Sequence, residues 1–490
     1  MKTTNKFILK ALVAVFILSG VFAKNSRAQQ DNTIHLMPII PQANYTNPAF
    51  KPIPTWYFGF PALSSVYVGI GHTGFAYRDL IKKRSDDSLE LRMDNMVDKL
   101  GKRNYVSLNA MEELLAFGFR YKKNYFNFSL SDKASFRFAY PRDLISLAWK
   151  GNGQFVGKTL DLSGIGVNAS YYREYALGFS RNVKILKQDF VVGGRVKYLQ
   201  GLMNVWTKRN DVTVQINEDD FAHTANTDFL VNICAPDSLI MQIDSLSGDT
   251  IHEKMGGIDA QQFLFNNTNK GLGIDIGAYY KLNDKFSFGL SLLDFGYIHW
   301  KTGGGSSTRN YTSTVKDFTY DGIDINEFFG EADTVVSQQM NQIGDSLADI
   351  FKIDQSKDGY WAPLPSKIYL TGMYSLTPHD KVGLLIRSEF FNSSIHPSLT
   401  VSYNKWFFNM LSATATYSIM NRSYMNLGFG LALNLGPWQT YVATDNLYCL
   451  FDPEGTRTVN LHFGVNFIFG YKEKKANESL YQDTPQTPKK

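Results

Sequence analysis

The chain has 490 residues, with 50 lysines and arginines against 45 acidic residues and a formal net charge of +5. So small and dispersed a surplus gives no reason to expect a nucleic-acid partner. Two cysteines, Cys234 and Cys449, exclude a disulfide framework and leave room for one bridge in an oxidising compartment.

Residues 1–28 read as a secretory signal peptide. Lys2, Lys6 and Lys10 form a positive start, Ala11 to Ala23 an apolar stretch, and Ser26-Arg27-Ala28 the small residues before a cut at Gln29. A cut after Ala23 is the alternative. No cysteine follows either site, so no lipid anchor is expected. Residues 29–62 carry Pro38, Pro41, Pro48, Pro52, Pro54 and Pro61, which forbids regular ladder pairing. Two readings stay open for this segment: a plug inside a lumen, or a loose periplasmic arm.

From residue 63 to 470 the pattern is that of amphipathic strands. In the last of them Val459, Leu461, Phe463, Val465, Phe467 and Phe469 alternate with Asn460, His462, Gly464 and Asn466. Side chains alternate across a strand, so one face is oily and the other wet. Leu427 to Leu435, Phe286 to Leu290 and Phe126 to Leu130 repeat the pattern. The mean hydropathy of −0.22 does not contradict a membrane location, because alternation hides the apolar face from an average. The 36 Phe, 27 Tyr and 7 Trp suit aromatic girdles at two membrane interfaces.

Strands are expected near 63–77, 114–122, 124–139, 166–180, 188–203, 272–282 and 284–298. The series continues near 366–376, 380–391, 398–404, 405–417, 423–435, 437–446 and 457–469. These make about fourteen strands, an even number as single-chain bacterial barrels require. Short links fall at 123, 181–187, 283, 377–379, the 404/405 junction and 436. Longer ones fall at 78–113, 140–165, 204–271, 299–365, 392–397, 418–422 and 447–456. Long and short alternate, strongly in the first half and weakly in the second, which puts the bulky loops at one end. The fold class is therefore all-β: a transmembrane antiparallel barrel with short periplasmic turns and long outer loops. Short helices are expected at 89–100 and within 328–351, and residues 471–490 read as a disordered periplasmic tail.

Asn44-Tyr-Thr-Asn-Pro-Ala-Phe50, Gly194-Arg-Val-Lys-Tyr-Leu-Gln-Gly201, Gly271-Leu-Gly-Ile-Asp-Ile-Gly277, Leu293-Asp-Phe-Gly-Tyr-Ile-His-Trp300 and Leu364-Pro-Ser-Lys-Ile368 span most of the mature chain. They resemble a family of Bacteroidota outer-membrane β-barrels without assigned activity. At fold level that family is similar to the FadL-type fourteen-stranded transporters and to the PorV and PorP/SprF proteins of type IX secretion and gliding. The resemblance implies an outer-membrane location with both termini periplasmic. It further implies either an N-terminal hatch for small or hydrophobic molecules or a docking surface for other outer-membrane or periplasmic proteins. It transfers no catalytic residue, and fold kinship alone does not assign function.

If the oily face meets lipid, the opposite face names the lumen. On that rule Arg120, Lys122, Arg137, Glu174, Arg195, Lys197, Asp275, Lys281, Arg387, Glu389 and His462 point inward. Both signs are present, so a mutually compensating polar network is expected. Cys234 and Cys449 fall in outer loops and are a candidate bridge. Ser88, Ser238, Ser245 and Ser346 follow aspartates in outer loops and resemble the O-glycosylation sites of Bacteroidota.

Enzymatic readings find no support. The eight histidines lack metal-ligand spacing, His462 has no serine motif beside it, and HExxH, CxxC and a phosphate-binding loop are missing. Gly303 to Gly305 has no lysine placed to reach a phosphate. The chain is expected to be non-catalytic, without cofactor or metal, and in contact with outer-membrane lipid. A structural or docking role in an envelope assembly, secretion-related or not, is the first expectation. A passive transporter or channel is the alternative.

Overall fold

The computed structural model describes residues 32–185, 188–219, 221–240, 259–320, 353–391, 394–407, 410–420 and 423–470. The expected signal peptide, the helix within 328–351 and the tail 471–490 lie outside the described residues, as do Ser245 and Ser346.

Sixteen main strands follow in order: β1 (Trp56–Gly59 and Val66–His72), β2 (Arg103–Tyr121), β3 (Asn124–Pro141), β4 (Gly166–Ile185), β5 (Gln188–Ile216), β6 (His223–Pro236), β7 (Asn269–Lys281) and β8 (Phe286–Trp300). Then come β9 (Ser306–Tyr320), β10 (Tyr360–Pro363 and Ser366–Ser375), β11 (Asp380–Phe391), β12 (Ser394–Phe407), β13 (Leu411–Met420), β14 (Ser423–Leu435), β15 (Trp438–Thr444) and β16 (Thr458–Phe469). Leaving aside β6 and β9, the other fourteen pair antiparallel with their sequence neighbours. Trp56 pairs with Phe469 and Val66 with Phe463, which joins β1 to β16 and closes the cylinder. The fold is a closed fourteen-strand antiparallel barrel.

Its outer surface follows from alternation. Leu427, Phe429, Leu435, Val459, Leu461, Phe463 and Phe469 are exposed, whereas Asn426, Asn434, Asn460, His462 and Asn466 between them are buried. An exposed oily belt around a buried polar face inverts the soluble pattern and suits lipid. Aromatic pairs mark both rims of the belt. Trp56 stacks on Phe119 at 4.9 Å and Trp438 meets Phe467 at 4.3 Å at one end; Tyr297 meets Trp361 at 5.0 Å at the other.

Among the described residues the turns at 122–123, 282–285, 376–379 and 436–437 lie at one end, here called the turn end. The loop end carries 73–102, 142–165 and the segments between β5, β7, β8 and β10. Between β11 and β14 the contrast in length is lost. Only residues 392–393 and 421–422 separate the loop-end strands there, fewer than the four of the 376–379 turn. The expected junction at 404/405 is also displaced: β12 runs on to Phe407, because Trp406 stays inward and Lys405 outward in unbroken alternation.

Three differences from expectation have local causes. The barrel begins at Trp56 instead of 63, and Pro61 interrupts β1 between Gly59 and Val66. Strand β2 extends back to Arg103; a bulge between Glu113 and Leu115 breaks the period of two there and conceals its first half. The loops 204–271 and 299–365 are not simple excursions. The upper part of β5 leaves the barrel wall and pairs with β6, β6 pairs with β9, and β9 with Asp354–Ser356. With Thr159–Asp161 paired on the other edge of β5, this five-stranded extension stands on the loop end beside the mouth. The helix expected at 89–100 is present as Met93–Lys99, burying Met96 and Val97.

Candidate functional site

Residues 32–54 run through the lumen. Asn32 is buried beside Ser398 and Met420, and the Thr33 hydroxyl donates to Asp445 at 2.7 Å; Met420 and Asp445 both lie at the loop end. From there the chain descends. His35 sits between the Thr46 and Thr371 hydroxyls at 2.9 and 2.5 Å, stacked on Tyr369. Gln42 donates to the Ser64 carbonyl and Asn466, and Asn44 accepts from Asn127 at 2.8 Å. At the turn end Lys51 donates to the Lys123 carbonyl at 3.3 Å, and Arg120 donates to the carbonyl of Pro52. The N-terminal segment was expected to start in the periplasm. Asn32 instead lies at the opposite end of the lumen from Trp56, where β1 begins.

The wall opposite the segment is built from small residues. A Cβ on Gly193 would meet the Pro48 carbonyl oxygen at 2.2 Å, on Gly277 the Asn47 Oδ1 at 2.2 Å, and on Gly430 the Met37 Sδ at 2.3 Å. Ile34, Met37, Ile39, Ile40, Ala43 and Phe50 pack there against Val191, Tyr279, Trp406, Ala432, Tyr441 and Ala443. An apolar core therefore forms inside the barrel, across an interface between segment and wall.

Above the segment, toward the loop end, lies the charged part of the lumen. Glu174 accepts from Lys133 at 2.7 Å and lies 3.6 Å from Lys197 and 4.0 Å from Arg195. Lys197 bridges Asp275 at 2.7 Å and Asp294 at 2.5 Å; Lys367 also reaches Asp294, at 3.0 Å. Arg195 lies 3.8 Å from Asp275, donates to Ser129 and covers the ring of Tyr45 from the N-terminal segment at 4.5 Å. A second group joins Arg137 and Arg387 to Glu389 at 2.9 and 3.0 Å. Most of these groups are fully buried, so their mutual pairing is what makes the charges tolerable.

Of the residues expected inward, Arg137, Glu174, Arg195, Lys197, Asp275, Arg387 and Glu389 come together in these clusters. His462 stands apart, bonded to Ser65 at 2.7 Å and packed on Tyr67 and Tyr441. Arg120 is occupied with the N-terminal segment. Lys122 is not in the lumen: it occupies the 122–123 turn with φ +53° and is exposed, because a two-residue turn leaves no face to point inward. Lys281 pairs with the exposed Asp284 at the turn end, at 2.8 Å, outside the network.

Four network residues were missed. Lys133 and Lys367 obey the same alternation rule as Arg137 and Tyr369 and were open to it. Glu113, buried and bonded to Ser64 at 2.5 Å, was hidden by the β2 bulge. Asp294 was hidden by a second bulge: Asp275 alone faces Leu293 and Asp294, and φ +56° at Asp294 turns both side chains inward.

The expected cysteine bridge is not formed. Cys234 is buried on β6 and accepts from the Asn269 amide; Cys449 lies in the link between β15 and β16, nearly across the mouth. Burial pushes the Cys234 thiol up to about 12. We therefore expect two thiols per unfolded chain without reductant, with Cys234 labelling far more slowly than Cys449 in the folded barrel. A gel shift on reduction would contradict this. Ser88 is exposed in a turn, donating to Asp86, and Ser238 lies half-buried after β6.

The sequence matches a family model over residues 48–445, most of the chain. The chain belongs to a family of unknown function, DUF5723. No curated protein sequence matches it. Among solved structures, the toluene transporter TodX of Pseudomonas putida is similar at 10% identity, covering 90% of this chain and 93% of that one, with a TM-score of 0.35. TbuX, a toluene transporter of Ralstonia pickettii, is similar at 10% identity, with 88% and 94% coverage and a TM-score of 0.37. A KdgM porin covers 61% of this chain at 11% identity, with 98% of its own length matched and a TM-score of 0.22. Likeness at this level carries no ligand or activity to this DUF5723 protein.

Proposed function

We propose that this protein is a non-catalytic outer-membrane channel for small molecules, gated by residues 32–54 acting as a plug. The observation that carries this reading is the construction of the lumen. Residues 32–54 lie as a strap against glycine seats in the wall, and a cavity of about 150 Å³ remains beside them. A barrel serving only as a scaffold has no need of such a space. Residues 32–54 contribute no strand to the barrel, so they can withdraw toward the turn end without breaking one. In this reading the turn end is periplasmic, the chain is exported through a signal peptide, and the belt contacts outer-membrane lipid. The toluene of TodX and TbuX is not carried over, since five cations stand among the apolar residues of the cavity wall here.

A lock across the plug tests the proposal. The Thr33 and Thr416 hydroxyl oxygens are 3.0 Å apart, within reach of a disulfide after substitution. In a Cys234→Ser/Cys449→Ser background, oxidised Thr33→Cys/Thr416→Cys should abolish solute uptake into liposomes and reductant should restore it. Uptake unaffected by the lock would overturn plug gating.

A docking component of an envelope assembly is the second reading, favoured by the five-stranded extension at the loop end. Stoichiometric copurification with envelope proteins, together with liposomes that stay impermeable, would support it over transport.

A further inference from the structure

We propose that the cavity above the plug binds a small solute carrying two negative charges on oxygen, a dicarboxylate or a phosphate. The inference rests on the channel reading for its purpose, but the binding itself can be measured separately. Five cations line the space (Lys133, Arg137, Arg195, Lys197 and Lys367), against three carboxylates: Glu174, Asp294 and Glu389. The wall therefore keeps a surplus of two positive charges where little water can screen them. Behind this lining Asp275 and Arg387 cancel each other, and the buried Glu113 brings the net surplus of the whole group to one.

The hydrogen-bond inventory points the same way. The carboxylates are over-subscribed: Glu174 is shared among three cations and Asp294 between Lys197 and Lys367. Donors are left over in the lining, while the carboxylate oxygens without a hydrogen-bond partner, Glu113 Oε2 and Asp275 Oδ2, belong to residues set behind it. Arg137 Nη1 and Trp300 Nε1 are buried and have no hydrogen-bond partner among the described residues, although both side chains line the cavity. A buried donor left unmade is costly, and an oxyanion supplies acceptors in number without bringing a proton of its own. Trp300 is only 1% exposed, so its indole is a built part of the wall. The Arg137 guanidinium is held over the Phe391 ring at 4.6 Å with one edge on Glu389, which leaves the other edge for a guest. A space of about 150 Å³ is ample for phosphate or a small dicarboxylate.

Calorimetry on the full barrel in detergent at pH 7.5 should detect succinate and inorganic phosphate, and should find succinamide and putrescine bound at least tenfold more weakly. Arg137→Gln should weaken both anions tenfold or more. Glu174→Gln, which raises the surplus of the lining to three, should tighten them. If Arg137→Gln loses heat-modifiable migration on gels, Lys133→Gln takes its place with the same expectation. Equal affinity for succinate and succinamide, no detectable anion binding, or unchanged affinity in the charge variants would overturn the proposal. Selective anion binding by a barrel whose uptake ignores the plug lock would instead remove the channel reading and leave the site standing.

Discussion

Removing residues 32–53 should turn the protein from a nearly closed barrel into an open pore, with conductance in planar bilayers rising at least tenfold. Fourteen strands spaced about 4.8 Å apart and tilted about 40° enclose a cylinder roughly 28 Å across between backbones. Side chains reaching in from both walls narrow this without filling it. Ile34, Met37, Ile39, Ile40 and Phe50 occupy the remainder next to Gly193, Gly277 and Gly430, positions that contribute no side chain. Once the strap is gone, nothing in the wall expands to replace it, and the vacated seats, lined by Val191, Tyr279, Trp406, Ala432, Tyr441 and Ala443, open to the lumen. The barrel strands pair only with one another, so the shortened chain should still migrate as a heat-modifiable barrel. Conductance equal to that of the full chain would show that the wall network, and not the strap, closes the lumen.

The same residues explain how far the sequence could be read. The outer face is an exposed apolar pattern with a period of two that recurs from strand to strand, so the closed fourteen-strand barrel was accessible from alternation. The inner face has no such rule. Gly428, Gly430 and Ala432 read only as non-apolar gaps between leucines, although Gly430 marks where Met37 rests. Charged lumen residues were legible where the strand was regular, as at Arg195, Lys197, Arg387 and Glu389. They were lost at Glu113 and Asp294, where an extra residue reverses which side points inward. The bulge at Asp294 delivers its carboxylate to both Lys197 and Lys367. The irregularity that concealed the residue is thus what brings it into the site. The extension built from β5, β6 and β9 was illegible for another reason: its strands sit above the belt, where no lipid imposes alternation.

Arg195→Ala should destabilise the barrel by about 3–5 kcal/mol, the usual cost of stranding a buried charge, and should change solute passage much less. Arg195 stands between Glu174 and Asp275, both almost fully buried, and Lys197 already serves both carboxylates and Asp294. With the guanidinium gone, Asp275 depends on Lys197 alone, while Glu174 keeps Lys133 and Asp294 keeps Lys367, and the Ser129 hydroxyl and Tyr45 ring lose their cation. Arg387→Ala should cost less, since Glu389 keeps Arg137 at 2.9 Å. If charge imbalance is the cause, adding Asp275→Asn to Arg195→Ala should recover a kcal/mol or more, as coupled neighbours do. The urea midpoint of the heat-modifiable form reads this directly. Full stability in Arg195→Ala, with altered conductance, would make the arginine a transport residue in place of a keystone of the lumen wall. A double variant no more stable than the single would mean that the loss comes from the contacts to Ser129 and Tyr45, and not from the stranded carboxylate.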